Sequence, residues 1–121
     1  MKSIAGNLLI VEDNFFIGKN IVNATKQVNG INHVCLTGSL QEAISILDKN
    51  HFDLLILDLK LPDGNGIELL KWLKEKEKKT KVFVFSISLE LQRICLEYGA
   101  FAFFDKANGL DELIESLKKL D

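Results

Sequence analysis

Proline occurs once in these 121 residues, at Pro62, and no stretch combines proline, glycine and serine densely, so the chain offers no linker and no domain boundary. It reads as one domain, 1–121, long enough to bury a core and too short for two. Cysteine occurs twice, and Cys35 and Cys95 lie far apart with no CxxC and no histidine at metal spacing. That argues against a disulfide framework or a zinc site and fits a reducing, cytoplasmic setting. A charge excess is also missing: 15 Lys plus Arg against 17 Asp plus Glu leave a net charge of -2, with no basic excess of the kind that marks a nucleic-acid interface. Long apolar runs are absent. The start, MKSIAGNLLIV, has the lysine and apolar residues of a signal peptide, but Glu12 and Asp13 end it early and no small-residue cleavage pattern follows. Nothing approaches the ~20 apolar residues that cross a bilayer.

What is present alternates. Short apolar runs, NLLIVE, HVCLT from His33, DLLILDL from Asp53, KVFVFS from Lys81 and FAFF from Phe101, are separated by segments of helical period. The first such segment, Asn14 to about Val28, places Ile17, Ile21, Ala24 and Val28 on one face. The second opens with Ser39 and Glu42 at capping-box spacing and turns Ala43, Ile44 and Leu47 inward. Ile67, Leu70 and Leu73 mark the third; Leu91, Ile94 and Tyr98, stopped by Gly99, mark the fourth. From about Leu110 the last carries Leu113, Ile114, Leu117 and Leu120. Continuous apolar strands are buried on both sides, and strict alternation implies right-handed crossovers in a parallel sheet. The expected architecture is a doubly wound (βα)5 sandwich, whose functional crevice lies at the carboxyl ends of its strands.

Acids stand at those ends. The first run closes in Glu12 and Asp13, the third in Asp58. Two carboxylates about 5 Å apart repel by roughly 3 kcal/mol at an effective dielectric of 20, so three together call for a raised pKa or a bound cation. Mg²⁺ suits one or two carboxylates completed by water and phosphate. Ser86 closes the fourth run and Lys106 follows the fifth. A hydroxyl and an ammonium beside a metal and a nucleophilic carboxylate, Asp58, form a phosphoryl-transfer constellation. Each residue alone has a plainer reading: acids favour helix starts, Asp and Ser form turns, and a surface lysine is a solvated charge. Their coincidence on one rim argues otherwise.

In Glu12-Asp13, in "LILDLKLPDGNG" with Asp58, Pro62 and Gly66, in Ser86, and in Lys106 after "YGAFAFFD", the chain resembles the receiver domain of two-component response regulators over essentially its whole length. The resemblance implies a flavodoxin-like sheet of order 2-1-3-4-5 and a cytoplasmic signalling phosphoacceptor, not a turnover enzyme, that catalyses its own phosphorylation and hydrolysis. It implies that Asp58 accepts a phosphoryl group from a sensor histidine kinase or phosphotransfer protein. Mg²⁺ would be held by Asp13, Asp58 and the backbone carbonyl of Lys60, with Glu12 acting through water. Lys106 would contact the phosphoryl oxygens, Ser86 would move to bond one of them, and Phe103 would be the aromatic that turns inward as it does so. Pro62 would fix the loop after the nucleophile, and Gly66 would permit the turn into the third helix.

Departures from the family pattern accompany these matches. The segment from Ser86 to Gly99 is about two residues short, Ile87 is bulky where the family has a small residue, and Ala107 replaces a common proline and with it the expectation of a cis bond. Phe101 and Ala102 make the fifth strand unusually apolar; Phe101 is read as a partner contact on the helix 4, strand 5, helix 5 face, the family's surface for homodimers and effectors. Trp72 is read as packing, and His33 and His51 as structural. No nucleic-acid or membrane contact is expected of this domain. A flavin carrier of this fold would need phosphate-cradling Ser, Thr and Gly where Glu12 and Asp13 stand. An aspartate-nucleophile phosphatase would need a second Asp at the position of Lys60. The remaining alternative is a receiver-like interaction module that works without phosphorylation; such modules usually lose an acid, the nucleophile or the lysine, all kept here. Beyond Asp121 either nothing or an output domain is expected.

Overall fold

The computed structural model describes residues 6–120; residues 1–5 and Asp121, the ends of the expected domain, lie outside them. Five strands, β1 (Asn7–Val11), β2 (His33–Thr37), β3 (Leu54–Leu57), β4 (Lys81–Ser86) and β5 (Ala102–Asp105), alternate with α1 (Phe15–Thr25), α2 (Leu40–Lys49), α3 (Ile67–Glu75), α4 (Gln92–Glu97) and α5 (Leu110–Lys118). All neighbours are parallel, in the order β2-β1-β3-β4-β5. This is the doubly wound sandwich expected from the alternation, with the flavodoxin-like strand order that the resemblance implies. A ribbon of two short strands, Lys60–Leu61 and Gly64–Asn65, interrupts the path from β3 to α3.

Successive strand residues point to opposite faces, and each face has its own core. Leu9, Val11, Leu55, Leu57, Val82 and Val84 pack with Ala43 and Leu47 of α2, Leu69, Leu70 and Leu73 of α3, and Cys95 of α4. On the other side Leu8, Ile10, Leu54, Ile56, Phe83 and Phe85 meet Ile21 of α1 and Leu113, Ile114 and Leu117 of α5. Each such side chain contributes roughly 1.5–3 kcal/mol on burial, and a one-residue slip would exchange the two faces. The register of the strand ends is therefore firmly set.

Three helix expectations change in detail. Asn14 is the N-cap of α1, its Oδ1 accepting from Ile17 N–H at 3.0 Å. The helix stops at Thr25, and Val28 reaches the core through a turn of i→i−3 bonds. Ser39 caps α2 by accepting from Glu42 N–H at 3.1 Å, but the reciprocal half of the capping box is missing, because the Glu42 carboxylate accepts instead from the Thr37 hydroxyl at 2.7 Å. In α4 the inward residue is Cys95, while Ile94 is 37% exposed. A 3-10 turn over Leu89–Leu91 precedes a helix of only 6 residues, and the face that packs inward is Leu91, Cys95 and Tyr98, at i, i+4 and i+7. Gly99 ends this segment with φ +99, as its C-terminal position requires.

The first turn of α2 holds a second cap. Asp63, at the tip of the ribbon, accepts from the N–H groups of Leu40 at 2.8 Å and Gln41 at 2.9 Å. Those two bonds hold its carboxyl below the ordinary 3.8. A group whose folded pKa is lowered stabilises the fold above its unfolded pKa and loses that contribution as pH falls. Asp63→Ala is thus expected to lower the thermal midpoint by a few degrees at neutral pH, with the gap to wild type narrowing as pH drops below about 4; parallel melts from pH 7 to pH 3 measure it.

Candidate functional site

The sheet's own ladder brings the expected site residues to one rim. Val11 pairs with Thr37 on one side and Leu57 on the other. Just past those pairs, Glu12 N–H donates to the Thr37 carbonyl at 2.9 Å and Asp58 N–H to the Val11 carbonyl at 3.0 Å. Ser86 pairs with Asp105, and Lys106 N–H donates to the Ser86 carbonyl at 3.0 Å.

Glu12, Asp13 and Asp58 each place a carboxylate oxygen within 4.8 Å of the others, Glu12 and Asp58 buried and Asp13 exposed. Lys106 closes the corner, its Nζ 2.6 Å from Glu12 Oε1 and 3.0 Å from Asp58 Oδ2. The second Asp58 oxygen faces the Lys60 N–H at 3.4 Å, and Glu12 Oε2 accepts from Asn14 N–H at 3.1 Å. Burial raises the Glu12 carboxyl above its ordinary 4.5, with the Asp58 charge adding to it and Lys106 and the Asn14 N–H opposing. Burial pushes the Lys106 ammonium down, but Glu12 and Asp58 together outweigh it and leave the group above its ordinary 10.5.

Three carboxylates face one ammonium, so the ionised corner is short of positive charge. The donor set fits Mg²⁺: all the side-chain donors are hard oxygens, and Glu12 Oε1 is buried with no aligned hydrogen bond despite its ionic contact with Lys106.

The other expected site residues fall as follows. Ser86 is fully buried, and its Oγ accepts from Ser88 N–H at 3.0 Å, which leaves its O–H as a donor. Phe103 is half-buried opposite Val84 and packs on the same face of the sheet as Ser86. Lys60 is exposed at the root of the ribbon. His33 and His51 stand at the opposite end of the sheet, His51 bonded to Asp53 at 3.2 Å. Trp72 is half-buried against the α2–α3–α4 core. Phe101 precedes β5, rests on Phe83 with ring centroids 5.1 Å apart, and is still 48% exposed.

The expected role of Gly66 needs correction. Its φ is -59, which any residue adopts, so the turn does not require glycine. A Cβ there would instead lie 2.7 Å from the Asp58 carbonyl oxygen and 3.1 Å from Leu59 Cα, both backbone atoms. Gly66→Ala is expected to cost about 1–3 kcal/mol in urea denaturation and to displace Asp58.

Sequence reasoning also passed over Phe15 and Phe16, which open α1 beside the acids, 64% and 78% exposed and edge-to-face at 6.0 Å. Two adjacent aromatics off the apolar stripe of a helix were the available signal.

A doubly wound parallel sheet with an acidic, lysine-closed corner at its carboxyl rim defines a flavodoxin-like domain of the kind used in phosphorelay signalling. The family model for the response regulator receiver domain matches residues 8–118. The chain belongs to that family, and so is a receiver domain of two-component systems. It is similar to the transcriptional regulatory protein MalR of Bacillus subtilis, 36% identical over 102 residues covering 83% of this chain. It spans only 43% of MalR's length. Sporulation initiation phosphotransferase F, also of Bacillus subtilis, is 32% identical over 114 residues, with 93% of this chain and 90% of that protein covered. Among solved structures, the non-phosphorylated HemR receiver domain from Leptospira biflexa superposes with a TM-score of 0.84 at 29% identity, covering 95% of this chain and 93% of that one.

Proposed function

We propose that Asp58 accepts a phosphoryl group from the phosphohistidine of a partner kinase or phosphotransfer protein, and that the resulting aspartyl phosphate alters the α4–β5–α5 face for partner binding. The observation that carries this is the placement of Lys106 within 3.0 Å of Asp58, in a corner lined by two further acids.

The chemistry follows from the residues. An Asp58 carboxylate oxygen attacks phosphorus in line; a P–O bond forms, the P–N bond to the donor imidazole breaks, and the imidazole nitrogen keeps the electron pair and takes up a proton. The Lys60 N–H and Lys106 orient the two Asp58 oxygens beforehand. Lys106 then faces the negative charge of the transferred group, and the Ser86 O–H supplies a donor to one of its oxygens. Bound Mg²⁺, held by Asp13, Asp58 and the Lys60 carbonyl with Glu12 through water, would supply charge neutralisation. Hydrolysis of the acyl phosphate by water at the same corner returns the chain to its starting state.

Partner contact has two candidate surfaces. Phe15, Phe16 and Ile87 are exposed around the acidic rim, where a phosphodonor protein must approach. Ile94, Leu96 and Phe101 are exposed on the α4–β5 side, where a homodimer or effector would bind. Among the described residues no helix is long and apolar enough to cross a membrane, and a single cytoplasmic signalling domain is the reading we adopt.

Incubation with Mg²⁺ and acetyl phosphate, read by intact mass, is expected to show one added phosphoryl group mapped to Asp58. No adduct over a range of Mg²⁺ concentrations would favour an interaction module that signals without phosphorylation.

A further inference from the structure

The ribbon after Asp58 is tied at its root and needs a separate tie at its tip. At the root, Gly66 N–H donates to the Leu59 carbonyl at 2.7 Å, and Lys60 and Leu61 pair with Asn65 and Gly64. A pair of two-residue strands has little stability of its own. At the tip, Asp63 reaches across 23 and 22 residues of sequence to the first two N–H groups of α2. Leu40 of α2 also lies against the tip, since a Cβ on Gly64 would come 3.0 Å from its Cδ2.

We propose that Asp63 is a positioning residue for the metal corner: by bonding the α2 N-terminus it immobilises the ribbon that carries Lys60, and so sets the affinity for Mg²⁺. This rests on the proposed function, in which the Lys60 carbonyl is a ligand. Mg²⁺ demands near-ideal octahedral geometry, so a ligand on a loosely held ribbon must be ordered at the moment of binding, which weakens association. Asp63 is not a ligand itself and acts through the backbone, like the outer-shell partners whose loss costs at least about tenfold in metal affinity.

Capping α2 is the competing explanation for these bonds, and Ser39 separates the two. Its Oγ caps α2 through Glu42 N–H and is not bonded to the ribbon. Calorimetric titration of the whole chain with Mg²⁺ should therefore show Asp63→Ala weakened about tenfold, Ser39→Ala at the wild-type constant, and Asp63→Asn in between, because its amide keeps one acceptor oxygen. Apparent half-saturation by Mg²⁺ in acetyl phosphate labelling should shift with the calorimetric constant, while the rate at saturating Mg²⁺ stays unchanged. Equal Mg²⁺ constants for Asp63→Ala and Ser39→Ala overturn the proposal and leave the proposed function standing. A folded wild-type chain that binds no Mg²⁺ overturns both. Should Asp63→Ala fail to fold, Asp63→Asn against Ser39→Ala decides in the same way.

Discussion

Asp58→Asn is expected to abolish phosphoryl uptake from acetyl phosphate and, in the same preparation, to raise the thermal midpoint of the metal-free protein. The first effect is chemical. A carboxamide oxygen carries no negative charge and is a poor nucleophile. The second effect is electrostatic. Asp58 is buried beside Glu12 and Asp13, with an oxygen of each within 4.8 Å. At an effective dielectric of 20 each such repulsion is about 3 kcal/mol before compensation. Lys106 returns part of it, and the variant also gives up that ionic contact, so a net gain of about 1 kcal/mol is the reasonable expectation, or a few degrees in midpoint. Saturating Mg²⁺ should erase the difference, because wild type then gains the binding free energy that the variant lacks. Acid-quenched mass spectrometry and paired melts with and without Mg²⁺ check both halves. An undiminished adduct in the variant would move the acceptor to another residue.

Much of this site could be read from the chain because of where apolar runs stop. Glu12, Asp58, Ser86 and Lys106 each stand at or just past the end of a run that becomes a strand, and in a parallel sheet those ends share an edge whatever the loops do. The strands themselves were legible for the same reason: HVCLT and KVFVFS are the observed bounds of β2 and β4. What the chain did not disclose depends on contacts between distant segments. A capping-box spacing at Ser39 and Glu42 cannot reveal that Thr37 competes for the carboxylate, nor can LPDGNG reveal that Asp63 turns toward Leu40. On the fourth helix periodicity placed Leu91 and Tyr98 on the inward face correctly but chose Ile94, at i+3, where Cys95, at i+4, is the buried residue; both spacings suit one helical face, and an apolar residue at each leaves the choice to packing. The glycine at 66 was legible as a glycine position, but its cause, the approach of the Asp58 carbonyl, is a distance that no local pattern encodes.

Lys106→Ala should show the reverse thermodynamic sign. The ammonium is 14% exposed and lies between two carboxylates that are themselves 2% and 7% exposed at the side chain. Removing one member of such a buried set leaves uncompensated charge, which typically costs about 3–5 kcal/mol; residual solvent access and a raised Glu12 pKa moderate this, and about 3 kcal/mol is expected without metal. For a chain of this size that is a drop of about 10 °C in midpoint. Mg²⁺ brings positive charge to the same corner and should recover much of the loss: at 100 times its dissociation constant an ion that binds only the folded state contributes about 2.7 kcal/mol. Recovery of stability would not bring recovery of rate. In the proposed function Lys106 is the cation aimed at the transferred group, and losing one such donor typically slows the chemical step about 10²-fold. The variant should therefore be folded and metal-loaded yet slow to take phosphoryl from acetyl phosphate. Urea denaturation with and without Mg²⁺, set beside labelling rates at saturating Mg²⁺, separates the two roles. Wild-type stability in metal-free buffer would mean that solvent, not Lys106, offsets the acids of this corner.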